Sequence, residues 1–477
     1  MSARSGGTLR RNSLGPLTIA FLVLSAAAPL VGIAGGVPVA MLLGNGAGLP
    51  ASFGIASLVL LLFAVGYTSM AHHVRNAGAF YAFAAQGLGG LAGGATAMIA
   101  LVSYVAMLVG LYALFGSAFA EALAAFAGVT VPWGVGALGA LAAVALLGYR
   151  KVDLSARILA VLVACEYLVV LYLDARVLLA GGNAGPSFIS FTPAAFLSGS
   201  PWIGLLLSFS AFVGFEATTI YSEEARDPAR SVPIATYVAI IVLGLFYLFS
   251  AWCVVVAIGA AKVLPTIQAL DSPTALLFTI ANRYAGHGTT VVMRAMFLSS
   301  VFAGLLAFHN AVARYGYALG REGLLPGRLA ETHPRHASPH VSSIVASSVL
   351  LVLVVLALVL HANPLLTLFG LMSAVGTFGV LVLMTIGSAA VLGLSGRFAA
   401  EEGWLATRAA PVLAGLALLA VVGLAWLHFD ALSGVTGALA HIAPLAVPVA
   451  AVAGILVAAL LRTRAPERFA RLGANAG

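Results

Sequence analysis

Twelve stretches of this chain run for about 20 residues or more with almost no charge, the length a helix needs to cross the hydrocarbon core of a bilayer. They lie near 17–43, 51–70, 91–120, 131–148, 156–179, 201–221, 235–260, 289–316, 341–360, 365–391, 410–427 and 439–461. Within each run the apolar residues are continuous rather than alternating with polar ones, so a membrane barrel of β-strands is excluded. Composition agrees: only 8% of the 477 residues are charged and the mean hydropathy is +1.08, whereas soluble proteins carry about 25% charged residues. An all-α integral membrane protein with twelve transmembrane helices is expected.

The net charge of +8 could suggest a nucleic-acid partner, but its distribution points elsewhere. With a cytoplasmic N-terminus, 19 of the 23 basic residues fall in cytoplasmic segments, and only Arg176, Lys262, Arg283 and Arg294 fall outside. That is the positive-inside pattern of a multi-pass protein of the cytoplasmic membrane with both termini cytoplasmic, and no nucleic acid is expected. The polar N-terminal residues resemble the start of a signal peptide. The run that follows is too long for one and lacks a small-residue cleavage site, so it reads as a retained first helix. Cys165 and Cys253 both lie inside apolar runs and suggest packing rather than a disulfide or metal site. No histidine pair has metal-ligand spacing, and His333, His336 and His340 share a loop. No nucleophile–base pair or phosphate loop is evident, so neither an enzyme nor a cofactor is expected.

Two of the runs are interrupted at mid-depth. Ala26–Leu43 contains Pro29, Gly32, Gly35, Gly36 and Pro38; Trp202–Tyr221 contains Ser208, Ser210, Ala211 and Gly214 beside the charged Glu216. A break in a spanning helix is costly unless it lines a cavity, and a pair of breaks at matching places in two halves points to a transporter binding site. Each broken run opens a set of five spans, about 17–180 and about 201–391. Because five is odd, the second set is inverted in the membrane. The expected organisation is an N-terminal tail (1–16), one permease domain (17–461, its last two helices about 410–461) and a C-terminal tail (462–477).

The residues themselves also resemble a known family. Phe209–Pro233, with Phe212-Val213-Gly214-Phe215-Glu216, Glu223-Glu224-Ala225, Asp227-Pro228, Arg230 and Pro233, is similar to the sixth helix and following loop of the amino acid–polyamine–organocation family. Ala307–Pro326 resembles that family's eighth helix. The resemblance implies a LeuT-type 5+5 inverted repeat with discontinuous helices 1 and 6.

Unwinding at Gly32–Gly36 would free backbone amides, with a new half-helix starting near Val37 and Pro38 in its first turn. Free amides at a helix N-terminus attract carboxylates. The resemblance assigns Gly32, Ala34, Gly35 and Gly36 to the substrate's α-carboxylate, although Gly35 and Pro38 depart from the family pattern of a small polar and a bulky residue. Close helix packing through small residues is the competing reading. The second break would offer carbonyls near Ser210 or Ala211 to an ammonium, under Phe209 and Phe212 as an aromatic cover, with Gly214 also counted in the substrate site. Some relatives that carry cationic amino acids have tryptophan at the position of Ser210; a serine leaves a larger side pocket.

Charges inside spans are functional candidates by default. Glu216 reads either as a proton-exchanging acid or as a hydrogen-bonding clamp on the unwound segment. Glu166 sits mid-span in the fifth helix, where several proton-linked relatives have lysine; it could carry a proton or recruit a cation near Ser299 and Ser300 of the eighth. The competing reading of those serines is hydrogen bonding within their own helix. His309 reads as a packing residue. The mixed-charge run Glu223–Arg230 reads as an interfacial helix bridged to Arg75 or Arg157. The expected function is secondary transport of an amino acid by alternating access, coupled to a proton or sodium, with a polyamine or cationic-amine carrier and an exchanger as alternatives. A channel is disfavoured, because the acids are isolated at two depths instead of lining a continuous path.

Overall fold

The computed structural model describes residues 14–74, 76–149, 152–183, 185–270, 272–334 and 338–474, with the side chains of 125, 152–159, 366 and 397–400 left aside. Within them the protein is helical, and the one strand-like contact is a bridge between Leu14 and Ala225. The helices that organise it are α1 (Pro16–Leu43), α2 (Leu49–His73), α3 (Phe80–Leu88), α4 (Gly90–Ala127), α5 (Trp133–Tyr149), α6 (Val152–Leu179) and α7 (Pro201–Tyr221). After them come α8 (Pro228–Ile258), α9 (Ala275–Tyr284), α10 (Gly286–Glu322), α11 (His340–Val359), α12 (Thr367–Gly396), α13 (Glu401–Leu427) and α14 (Ala438–Arg464).

Ten of these helices are long and apolar enough to cross a membrane. The runs expected as fourth and fifth spans form the 17-residue α5 and the 28-residue α6. Both ends of the described chain lie on one face: Leu14 pairs with the segment after α7, and the tail beyond α14 reaches Asn76 and Glu322. Arg4, Arg10, Arg11, Arg75, Arg150, Lys151, Arg335 and His336 lie outside the described residues.

The broken helices α1 and α7 occupy the centre, where α2, α6, α8 and α10 pack against them and α4 reaches in through Tyr104 and Leu111. Helices α11, α13 and α14 are peripheral, with fully apolar side chains such as Val352, Leu416, Val449 and Leu456 on the outside. An apolar exterior of this kind is stable against lipid and not against water. Each peripheral helix turns one stripe inward, and small residues recur in it. In α14 that stripe is Val447, Ala450, Gly454 and Ala458, spaced at three and four residues.

Glycines allow the closest crossings. A Cβ on Gly454 would overlap the carbonyl of Gly94 in α4, and one on Gly393 of α12 would overlap that of Gly87 in α3. Lipid tails are as apolar as leucine, so membrane helices associate through such close backbone approach. Gly454→Ala is therefore expected to destabilise the α4–α14 pair by about 1–3 kcal/mol. Gly139→Ala, at a position with open space around it, is expected to be neutral or slightly stabilising. Unfolding midpoints in detergent check both.

Candidate functional site

Helix α1 breaks at Ala28, four residues before the glycines. Pro29 disfavours helical geometry in the residue that precedes it, and Ala28 adopts a left-handed conformation, φ 45° and ψ 70°. Its N–H closes a tight turn onto the Ser25 carbonyl at 3.2 Å, and Pro29 begins a new helical segment. The expected unwinding at Gly32–Gly36 is corrected: these five residues form a π-helical turn. A π turn is wider but still hydrogen-bonded, so the glycines widen the helix instead of freeing its amides.

The glycines separate by environment. Gly32 lies against the ring and hydroxyl of Tyr247 from α8, so a side chain there would collide; that is the close-packing reading. Ala34 is buried. Gly35 and Gly36 have open space where a side chain would sit, and Gly36 is exposed. Packing explains neither of these two.

Helix α7 stops at Ser210, and after a turn the chain resumes as a 3₁₀ segment, Phe215–Tyr221. Gly214 sits in the turn at φ +115°, a region that side chains rarely adopt. It also touches the other break: a Cβ there would lie 2.9 Å from the Ala26 Cβ and 3.2 Å from the Ala27 nitrogen. The two breaks are thus in van der Waals contact. Gly304 of α10 closes a third side, 3.5 Å from the Ala28 side chain and 3.7 Å from Leu111 of α4 by the same measure.

Each break has its own glutamate. Glu216, fully buried, accepts the Gly214 N–H at 2.8 Å through one carboxylate oxygen and the Tyr104 hydroxyl at 3.2 Å through the other. Its backbone carbonyl accepts from Tyr67 at 2.7 Å, and the Tyr67 hydroxyl also meets Thr219. Glu166, also fully buried, reaches across from α6 to α1. One of its oxygens accepts the Leu30 N–H at 3.4 Å and the Ser300 hydroxyl at 2.6 Å, and its Oε1 has no hydrogen-bond partner. Leu30 is in the first turn of the restarted segment, where backbone amides lack helical acceptors. The Glu166 carboxylate therefore sits where a helix N-terminus attracts negative charge.

The serines divide. Ser300 joins Glu166, whereas Ser299 donates to Met296 of its own helix at 2.8 Å, so the pair does not form one site. The Ser210 hydroxyl likewise bonds back, to Leu207 at 2.7 Å. Phe212 is buried edge-on to Tyr247, with centroids 6.0 Å apart, and Phe209 is buried too. His309 bonds the Ser343 hydroxyl at 2.9 Å, as a packing histidine would.

On the face that carries the termini, ion pairs seal the bundle. Arg314 of α10 is buried, forms a two-pronged pair with Glu224, donates to the Asn310 carbonyl at 3.1 Å and lies over the Tyr221 ring. Arg321 pairs with Glu223 at 2.7 and 2.9 Å, and Glu223 also accepts the Ala77 N–H. Glu322 receives Asn76, Tyr81 and the Gly473 N–H. The segment 223–227 is a turn rather than the expected interfacial helix, and its described ion-pair partners are on α10. Arg75 and the Arg157 side chain lie outside the described residues.

Sequence reasoning missed Ala28, Tyr67, Tyr104, Arg314 and Asp174. The Ala28 break was visible as the residue before Pro29. Arg314 and Asp174 were visible as charges within apolar runs. The two tyrosines carry no local signal, because their role depends on which helix they face.

Replacing Glu216 by alanine strands the buried Gly214 amide, at a cost of about 1–3 kcal/mol. Glu216→Gln keeps an acceptor and is expected to lose less. Unfolding midpoints of both variants in detergent check the order; equal values for wild type and Glu216→Ala would contradict the clamp.

Known proteins match this chain in the same terms. Residues 14–438 fit the family model described as amino acid permease. The chain is 26% identical over 367 residues, 72% of this chain and 74% of the relative, to the branched-chain amino acid permease BcaP of Bacillus subtilis. Shorter matches include the low-affinity putrescine importer PlaP of Escherichia coli, 27% identical over 31% of each chain. Another is the uncharacterized transporter Rv1999c of Mycobacterium tuberculosis, 30% identical over 39% of each. With a family model spanning nearly the whole chain and ten membrane-length helices around two central breaks, this protein belongs to the amino acid permease family.

Proposed function

We propose that the protein is a proton-coupled secondary transporter of amino acids in the cytoplasmic membrane. It has twelve spans, both termini inside, and a LeuT-type inverted repeat formed by residues 17–180 and 201–391. The observation that carries this reading is the Glu166 carboxylate on the N-terminus of the restarted α1 segment, hydrogen-bonded to Leu30 and Ser300. A helix N-terminus suits one carboxylate. The α-carboxylate of an arriving amino acid would compete for it with Glu166, and two carboxylates sharing a site do not both stay ionised. A proton on Glu166 removes the conflict and gives its oxygen a hydrogen to donate. Substrate and proton then bind together, which is symport.

This shifts the carboxylate site from Gly32, Ala34, Gly35 and Gly36 to the Ala28–Leu30 break, with Gly35 and Gly36 lining the approach. Gly214, Phe209, Ser210 and Phe212 form the opposite wall. Phe212 and the Leu111 beside Ala28 make the lining apolar, which suits a neutral aliphatic side chain like those named for the Bacillus relative. Glu216 is a clamp rather than a coupling group, since both of its oxygens are engaged. Ser300 supports Glu166, and Ser299 has no part. The ion pairs around Arg314 and Arg321 form the inner gate, closed here, while Gly35 and Gly36 have open space beside them, which suits access from the other face. Alternating access would break the first and close over the second.

A carrier of amines without a carboxylate is the second reading, favoured by the unpartnered Glu166 Oε1, a buried acceptor for an ammonium. Purified protein in liposomes, given leucine, isoleucine, valine and putrescine under imposed pH gradients, separates the two. Uptake of the aliphatic amino acids is expected, increasing as the outside is made more acidic than the inside, with Glu166→Gln losing that dependence. Uptake of putrescine alone would establish the second reading, and uptake indifferent to the gradient would contradict coupling.

A further inference from the structure

A second buried carboxylate lies on α6, above the first. Asp174 is 2% exposed and accepts the Ser250 hydroxyl of α8 at 2.6 Å; the Cys253 thiol is its other hydrogen-bond partner. Both partners are neutral. Among the described residues no basic side chain forms an ion pair with it. A carboxyl group without a cation inside a span is rare unless it binds or moves something.

Its position relative to Glu166 is not arbitrary. Among the described side chains of α6, Val163, Glu166, Val170, Leu173, Asp174 and Val177 are the buried ones and fall on one face. Eight residues of helix separate the two acids, about 12 Å along the axis. Across the seam, α8 presents Ser250 and, one turn toward Glu166, Tyr247. The Tyr247 side chain is fully buried, interacts electrostatically with Glu166, and its hydroxyl has no hydrogen-bond partner. The hydroxyl of Tyr167, beside Tyr247 and Glu166, is also unpartnered, as is Glu166 Oε1. Three buried oxygens without a hydrogen-bond partner, none of them bonded to another, thus lie toward the inner end of a seam whose outer end is a carboxyl group.

The other polar groups near Asp174 are accounted for. Arg176 on its own helix turns to the Tyr284 carbonyl at 3.2 Å. Tyr284 of α9 donates to the Ala257 carbonyl, and Arg283 lies over the Tyr284 ring. From α10, Ser300 serves Glu166 and Arg294 lies over the Phe278 ring. The α1 half that packs on α6 carries no titratable residue.

We propose that Asp174 is the proton-loading group for Glu166, fed from the face opposite the termini and passing its proton along the α6–α8 seam. The proposal rests on the proton-coupled reading above. A proton from the outer solution binds Asp174 and leaves through the Ser250 hydroxyl, which gives up its own hydrogen as it takes the new one. A water entering the seam would bridge the turn of α8 between Ser250 and Tyr247, a backbone rise of about 5 Å. The Tyr247 O–H, not bonded to Glu166 Oε1 in this state, closes on that oxygen to pass its hydrogen and is refilled from that water. The outer solution ends one proton poorer, Glu166 one richer, and Asp174 and every intervening oxygen are unchanged.

The full chain in liposomes tests this, with whichever of leucine, isoleucine, valine or putrescine the wild type takes up best. Two quantities are compared: accumulation driven by an acidic exterior, and counterflow at equal pH, which needs no net proton movement. Asp174→Asn keeps the shape and the Ser250 hydrogen bond. It is expected to lose driven accumulation at least tenfold more than it loses counterflow, and Asp174→Glu is expected to restore part of the loss. Tyr247→Phe should show the same split. Wild-type accumulation in Asp174→Asn, or a parallel fall of both quantities, would overturn the proposal. A wild type indifferent to the gradient would overturn the coupled reading itself. A gradient-driven wild type with an unaffected Asp174→Asn would overturn the Asp174 assignment alone.

Discussion

A backbone amide freed in the middle of a bilayer must find an acceptor there, and each broken helix of this protein finds one in a glutamate. The break at Ala28–Pro29 places Leu30 under the Glu166 carboxylate, and the break at Gly214 turns its N–H to Glu216. The chemistry is the same but the supply differs. Glu216 belongs to the segment it clamps and is held again by Tyr104 on α4, so it moves with its own break. Glu166 comes from another helix, through a longer contact, and is shared with Ser300 of α10. A bond between three helices is sensitive to their relative motion, and a bond within one turn is not. In the proposed reading that difference gives coupling to Glu166 and architecture to Glu216.

The rest of the bundle keeps the two breaks in register. Gly304 faces Ala28 at ordinary contact distance, Gly214 touches Ala26 and Ala27, and Gly32 admits the Tyr247 ring; at Gly214 and Gly32 one added carbon would push the helices apart. Around that centre the molecule is asymmetric across the membrane. On the terminal face Arg314, Arg321, Glu223, Glu224 and Glu322 are interlocked, with Leu14 and Gly473 of the two chain ends drawn into the same layer. Breaking a buried pair such as Arg314–Glu224 leaves an uncompensated charge at a cost of about 3–5 kcal/mol. If these pairs form a gate, as proposed, it can open only if other contacts form as it does. In the proposed cycle, occupation of the central site supplies them.

Much of this was legible in the sequence because hydrophobic length and buried charge are local signals. The membrane class, both broken segments, Glu166 and Glu216 could be read directly from the residues. The position of the first break could not be read from glycine content alone. Glycine permits unwinding, but Pro29 enforces it on Ala28, and Gly32–Gly36 stay hydrogen-bonded as a π turn. The pairing of Ser300 with Glu166, and of Ser299 with Met296, depends on a rotation of α10 by one residue that no local pattern encodes. Arg314 was hidden among the basic residues counted toward topology, though its place inside an apolar run set it apart. Cys253 was read as packing alone, and it meets Asp174 only because α6 and α8 are neighbours.

The central claim is that the carboxylate of Glu166 occupies a substrate's place until it is protonated. Proton uptake on binding measures this directly: calorimetric titration of the purified protein with its amino acid, in two buffers of different ionisation enthalpy. The account predicts uptake of about one proton per substrate bound in the wild type and none in Glu166→Gln. Binding without proton uptake in the wild type, or with the same uptake in Glu166→Gln, would contradict it.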